Sequence, residues 1–390
     1  MNDPGGAIYL DHNASTPMTS RVLEVFVRAA REGFGNPSAD HPHGRRARAF
    51  VSDARAQVAA LLRCEPDEVI FTGGGTEANN LAIVGWARAA NAPVTVVTTA
   101  VEHPATLGPA GLLSRGGAAL TRVAVLASGC VDPGAIEAAL PESGPSLVTV
   151  ILAQNETGVI QPIAEIARRA RARGAVVHTD GAQAVGKIPV DVGALGVDML
   201  SIAGHKLYAP KGVGALFVRR GTPIGPVVLG AGHERGLRPG TENVAGIAAL
   251  GEACAMASED LTIESSRQER LRDRLAARLA AGGFVVHGEG APRLPNTLNG
   301  RFPWVQGSAL LAALPEIAFS TGSACHSGAE TPSAILTAMG IAPEAALGAV
   351  RLTLGRDTTE AEIERAADRL LDAAARARET REAREAREKS

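Results

Sequence analysis

Short runs of β-branched and aromatic residues alternate along the chain with longer, alanine-rich stretches. Residues 69–72, 94–98, 147–152, 175–178 and 199–202 are apolar at most positions, the pattern of strands buried on both faces. Between them lie helical patterns such as 162–174, where apolar positions recur every three or four residues until Gly174 stops them. Strand, helix, strand repeated in this way predicts an α/β domain with a mostly parallel sheet. Ligands of such sheets bind at the carboxyl ends of the strands.

The pattern changes after about residue 256. A charged helix is predicted over 264–281, short strands over 284–287 and 297–299, and a strand over 350–354 after a Gly/Ser-rich loop. Thr359 and Glu362 have the spacing of a capping box that opens a last helix. Its apolar positions, Ile363, Ala367, Leu370 and Leu371, fade after about Ala375. The alternating Arg and Glu of 376–390 read as a solvated or frayed helix. The expected organisation is a large α/β domain over 15–256. A smaller α+β domain takes 1–14 and 257–390 and carries a loop at about 320–334.

Composition narrows the class. Hydrophobic content of 45% and charged content of 21% are those of an ordinary globular protein. A net charge of −2 argues against a nucleic-acid footprint. No apolar run is long enough to span a bilayer, and the first residues lack the basic region and apolar core of a signal peptide, so a cytoplasmic location is expected. Cys64, Cys130, Cys254 and Cys325 are far apart and show no metal-ligand spacing. No disulfide framework is expected from them, and the first three read as small packed residues.

The candidate chemistry begins with lysine. The chain uses arginine almost throughout, and its lysines are Lys187, Lys206, Lys211 and Lys389. Lys206 follows the apolar run 199–203 and the pair Gly204-His205. A desolvated lysine can form a Schiff base with an aldehyde cofactor, whereas arginine cannot; an ordinary loop lysine satisfies the same pattern. The run Gly73-Gly-Gly-Thr76 follows a predicted strand and opens a helical pattern, so its backbone N–H groups and the Thr76 hydroxyl suit an anion. A plain tight turn has the same composition. The run 235–243, with Arg235, Arg238 and Thr241, suits a phosphate, a carboxylate or a solvated turn. Asp180, just past a buried strand, could pair with a protonated pyridine nitrogen. Gln183 could reach a phenolic oxygen, His103 offers a flat ring for stacking, and Asn155 offers an amide. Each alone is an ordinary cap or turn residue. Together they place four polar sites at the ends of four predicted parallel strands.

At this point the chain resembles the NifS/IscS-type cysteine desulfurases, pyridoxal-phosphate (PLP) enzymes of the class V aminotransferase group. The resemblance is carried in order by Tyr9–Pro17, Phe34–Ser38, Gly73–Asn80, Glu102-His103, Asn155–Gly158, His178–Gln183, Gly204–Lys206, Arg235–Asn243 and Gly322–Cys325. It implies a PLP-dependent transferase of fold type I, built as a homodimer. It implies Lys206 as the Schiff-base lysine, and Gly75, Thr76 and His205 at phosphate positions. His103 becomes the stacking residue and acid/base, and Asp180 the partner of the ring nitrogen. Asn155 and Gln183 fall at the ring oxygen and substrate side, and Arg351 at the substrate carboxylate. Thr241 is expected to reach the phosphate of the neighbouring subunit. Cys325, in a loop of small residues, is implied as the thiol that takes sulfur from L-cysteine as a persulfide and passes it to an acceptor protein, with His326 beside it to favour the thiolate. L-Alanine is the other product. One departure stands out: the family often has serine where this chain has Ala203. Ala203 and Cys325-His326 resemble the selenocysteine lyases, which keeps L-selenocysteine open as a substrate. An aminotransferase on the same fold, with Cys325 incidental, is the remaining alternative.

Overall fold

A computed structural model describes residues 6–326 and 329–388, without the side chains of 323–330 and 388. The chain enters through a two-residue strand, β1 (Ile8–Tyr9), and then builds a seven-stranded sheet. Its strands are β2 (Val69–Thr72), β3 (Thr95–Thr99), β4 (Ala119–Val123), β5 (Ser146–Ile151), β6 (Val176–Asp180), β7 (Met199–Ala203) and β8 (Gly214–Val218). The order is β2-β8-β7-β6-β5-β3-β4. Strands β3 to β7 run parallel, and β8 lies antiparallel between β7 and β2. β5, β7 and β8 are buried along their whole length, as strands covered on both faces must be. The five predicted strands of this sheet are present, shifted by at most two residues.

The sequence pattern missed two strands. β4 is an edge strand, largely exposed, whose polar positions hide the period. β8 lies between glycine-rich turns, and its five apolar residues alone do not separate strand from helix.

Residue 256 lies inside one long helix, Val244–Ala281, rather than between elements. The helix begins well before the predicted 264, with Asn243 Oδ1 accepting from Gly246 N at 3.1 Å. Up to Ala257 it packs in the apolar cluster of the large sheet, and Leu275 and Leu279 belong to a second cluster.

That second cluster backs a small four-stranded sheet. Strands β9 (Val285–Val286), β10 (Thr297–Arg301), β11 (Ile317–Ala318), β12 (Ser320–Thr321), β13 (Ser323–His326), β14 (Ala329–Pro332) and β15 (Ala349–Thr353) follow in the chain. The sheet order is β12-β15-β10-β9, while β11 pairs in parallel with β1. The predicted small-residue loop is in fact an antiparallel pair, β13 with β14, in which Cys325 faces Glu330 across the register. Its serines, alanines and threonines carry no hydrophobic period for sequence to show.

The last helix, Glu360–Glu388, opens with the expected capping box: Thr359 N donates to Glu362 Oε2 at 2.8 Å, and Glu362 N to Thr359 Oγ1 at 3.2 Å. Its exposed end is held by Arg378–Glu382 and Arg381–Glu385 pairs one turn apart. Among the described residues no helix is long and apolar enough to cross a membrane.

Candidate active site

A cavity of about 460 Å³ opens where the carboxyl ends of β5, β6 and β7 meet the helix Gly75–Asn80 and strand β15. Gly75, Thr76, His103, Asn155, Asp180, Gln183, His205, Lys206 and Arg351 all line it. Thr241 does not; it is exposed in a separate depression beside Phe34 and Asn36. The Cys325 and His326 side chains lie outside the described residues.

The anion end follows from local backbone. β2 delivers the chain into Gly73-Gly-Gly75, and Gly74 takes φ +144°, a conformation that favours glycine. A Cβ on Gly75 would stand 3.0 Å from that of Ala203. Glu77 braces the turn, accepting from Gly73 N at 2.7 Å and from Arg238 Nε at 2.9 Å. Arg238 therefore spends its charge on a carboxylate of its own chain. His205, whose Nδ1 lies 3.3 Å from Ser15 Oγ, is lowered to about 4 by burial and by Lys206, Lys211 and Lys187, so it is neutral at pH 7.

Asp180 ends β6 almost fully buried. Its Oδ2 accepts from Asn79 Nδ2 at 2.7 Å and its Oδ1 from Ala182 N at 3.0 Å. No described cation forms an ion pair with it. Two residues earlier on the same face, His178 lies between Thr149 Oγ1 (2.8 Å) and Ser201 Oγ (2.9 Å), and burial pushes it down to about 3. A neutral imidazole so placed spaces the three strands beneath the cavity.

His103 caps the helix Pro104–Arg115, its Nδ1 accepting from Ala105 N at 3.1 Å. That bond leaves the ring proton on Nε2. Burial lowers the His103 pKa, Asp180 raises it and Lys206 lowers it again. Its neighbour Glu102 is buried, and its Oε1 accepts from Thr99 Oγ1 at 2.6 Å and Ile151 N at 3.1 Å. Burial raises that carboxyl to about 8, so it is protonated at neutral pH. Glu102 thus ties the segment that carries His103 to the end of β5.

Lys206 follows β7 on a single tight turn, Gly204–Lys206. Its Nζ donates to the Asn13 and Ala14 carbonyls, both at 2.7 Å. Burial, then Arg351, lowers its pKa from 10.5 to about 8, against the pull of Asp11 and Asp180. A useful fraction of the amine is therefore a free nucleophile near neutral pH. Arg351, on β15, donates from Nη2 to Asp11 Oδ1 at 2.7 Å and Ser320 Oγ at 2.9 Å, and from Nη1 to the Asn155 carbonyl at 3.2 Å. Its Nε is buried without a partner among the described residues.

Sequence reasoning missed Asn13, Asn79 and Lys187. Asn13 joins the two halves of the molecule: its Nδ2 donates to Thr297 Oγ1 and the Asn155 carbonyl, and its N to Thr353 Oγ1. An asparagine in a short segment of small residues carries no periodic signal; only its place in the Tyr9–Pro17 motif marked it.

The donor set can be tested against a pyridoxal-type group. Such a group needs a carboxylate for a cationic ring nitrogen, an anion turn at the far end and a nucleophilic amine for its aldehyde. Asp180 without a cation, the glycine turn and Lys206 supply the three within one cavity, so the residues present fit the group.

The chain belongs to the aminotransferase class-V family, whose profile matches residues 8–366. Within that family it is similar to a cysteine desulfurase of Trichormus azollae, with 42% identity over 375 residues, covering 95% of this chain and 94% of the relative. Among solved structures it resembles a NifS-like protein, with TM-score 0.87 and 35% identity over 94% of this chain and 98% of that one. It also resembles SspA in complex with cysteine, with TM-score 0.78 and 32% identity, covering 89% and 98% of the two chains.

Proposed function

We propose that the protein is a PLP-dependent cysteine desulfurase that converts L-cysteine to L-alanine and takes the sulfur onto Cys325 as a persulfide for an acceptor protein. The observation that carries this reading is the convergence of Lys206, Asp180, His103 and Arg351 on one cavity. The named relatives, over almost the whole chain, support it.

PLP, when bound, supplies an electron sink for the substrate carbons. Lys206 would be the amine that anchors it, and its Nζ, when not so engaged, would carry protons at the substrate. Asp180 would pair with the ring nitrogen, where a buried carboxylate would favour the protonated ring. Gly75, Thr76 and His205 would hold the phosphate. His103 would stack on the ring, leaving Nε2 to exchange a proton. Gln183 and Asn155 offer amides to the ring oxygen and the substrate. Arg351 receives the substrate carboxylate, for which Asp11 is the resident stand-in. The Cys325 thiolate attacks the substrate sulfur. The C–S bond breaks as an S–S bond forms, the substrate carbon is reduced, and a proton returned to it completes alanine. The molecule acts as a homodimer in which Thr241 serves the partner's phosphate. The catalytic modules are 15–256 and 1–14 with 257–390.

The test is mass spectrometry after incubation with L-cysteine. A one-sulfur adduct on Cys325 is expected, and Cys325→Ala keeps cofactor absorption while losing alanine formation. Undiminished turnover in that variant overturns the reading.

A further inference from the structure

Lys187 is almost fully buried and meets no carboxylate among the described residues. Its Nζ donates to Gln183 Oε1 at 2.7 Å and Asn13 Oδ1 at 3.0 Å, both neutral acceptors. An isolated buried amine is costly and needs a reason. Burial depresses its pKa well below 10.5, and Lys206 and Arg351 depress it further.

The reason lies in the amide it touches. The two ends of a glutamine amide have the same shape, and only the partners decide which end points where. Gln183 Nε2 donates to the Asn13 carbonyl at 3.0 Å. That carbonyl has no proton to offer, so the reverse orientation would set two oxygens against each other. Lys187 completes the lock by donating to the opposite end. The Asn13 amide is fixed in turn: its Oδ1 accepts from Lys187 and from Asn296 Nδ2 at 3.1 Å. Nε2 keeps a second N–H, and Gln183 lines the cavity.

We propose that Lys187 is a positioning residue that turns the Gln183 amide so that the cavity receives an N–H donor, matched to an anionic oxygen on the bound ring. The inference rests on the proposed function and deepens it: Lys187 acts through Gln183 and touches neither cofactor nor substrate.

The experiment follows the visible absorption of the PLP-loaded protein against pH, together with steady-state kinetics on L-cysteine. A donor to the ring oxygen stabilises its anion, so losing the donor raises the pH at which the absorption changes. Lys187→Met is expected to raise that midpoint by at least about half a unit and to lower kcat/KM about tenfold or more, consistent with the loss of an oriented hydrogen bond. Gln183→Glu places an acceptor where the donor stood; the ion pair it offers Lys187 offsets the repulsion between its second oxygen and the Asn13 carbonyl, and the midpoint rises as well. Adding Lys187→Met to Gln183→Ala is expected to change neither quantity more than about twofold, because the route through Gln183 is already gone. A midpoint unmoved in both Lys187→Met and Gln183→Glu overturns the inference, and so does a full Lys187→Met effect in the Gln183→Ala background. Wild-type protein that binds no PLP overturns the proposed function, and this inference with it.

Discussion

Replacing Lys206 by methionine in cofactor-free protein isolates the energetic consequence of burying this amine. Its pKa falls from 10.5 to about 8, chiefly through burial and then through Arg351. Below pH 8 the lysine is charged in both folded and unfolded chains, and the folded state bears the full penalty. Between pH 8 and 10.5 the unfolded chain binds more protons, so stability rises with pH; above 10.5 the penalty is gone. The gap corresponds to about 3 kcal/mol, or about 4 °C in Tm for a chain of this length. Methionine has no such titration. The Tm of Lys206→Met minus that of the parent is therefore expected to shrink by about 4 °C between pH 7.5 and 10.5. The variant also forfeits the bonds to the Asn13 and Ala14 carbonyls, at about 1 kcal/mol each, and the part of that loss that varies with pH is already contained in the lowered pKa. Calorimetry on both proteins, side by side across the pH series, gives the difference directly. A difference flat to within about 1 °C, against the roughly 4 °C expected, refutes the buried, destabilised amine.

Three further outcomes are expected. Arg351→Ala raises KM for L-cysteine and lowers kcat/KM by roughly 10- to 100-fold, the range for a lost charge-assisted pair; a kcat effect alone would contradict carboxylate binding. Asp180→Asn keeps the hydrogen bonds from Asn79 or Ala182 within reach but removes the charge, so turnover falls at least about 100-fold and the PLP absorption shifts, as a spectrophotometric titration will show. Ser333→Ala removes the cap of the helix Ala334–Ala338 and the 2.6 Å bond to Glu156 Oε2, at the foot of the β13–β14 hairpin. It is expected to cost about 1–2 kcal/mol in thermal stability and to slow sulfur transfer to Cys325 in single-turnover assays, with cofactor absorption unchanged.

The parallel strands were legible because burial on both faces forces β-branched runs, as in Leu147–Leu152 and Met199–Ile202, and glycine marks their turns. The polar residues just past those runs, Asp180 and Lys206 among them, were legible for the same reason: each sits where the apolar signal stops. β8 and the β13–β14 hairpin were not, since a five-residue apolar run has no diagnostic period and small residues have none at all. Lys187 was passed over because one lysine after a glycine looks solvated; its burial depends on Asn13 and Gln183, distant in sequence or on another turn. Asn79 shows no role in sequence because its bond to Asp180 crosses 101 residues.

The N-terminal segment sets a timetable for the molecule. Ile8 pairs with Ile317, Asp11 bridges Thr353, and Asn13 N donates to Thr353 Oγ1. The strand Ile8–Tyr9 and Asp11 thus meet these partners only when the last strands are in place, and contacts of such long separation form slowly. The large sheet can form early, yet Lys206 and the Arg351 clamp stay apart until β15 has paired. Loss of the segment 8–13 and loss of β15 are consequently defects of the same kind: each leaves the cavity half assembled.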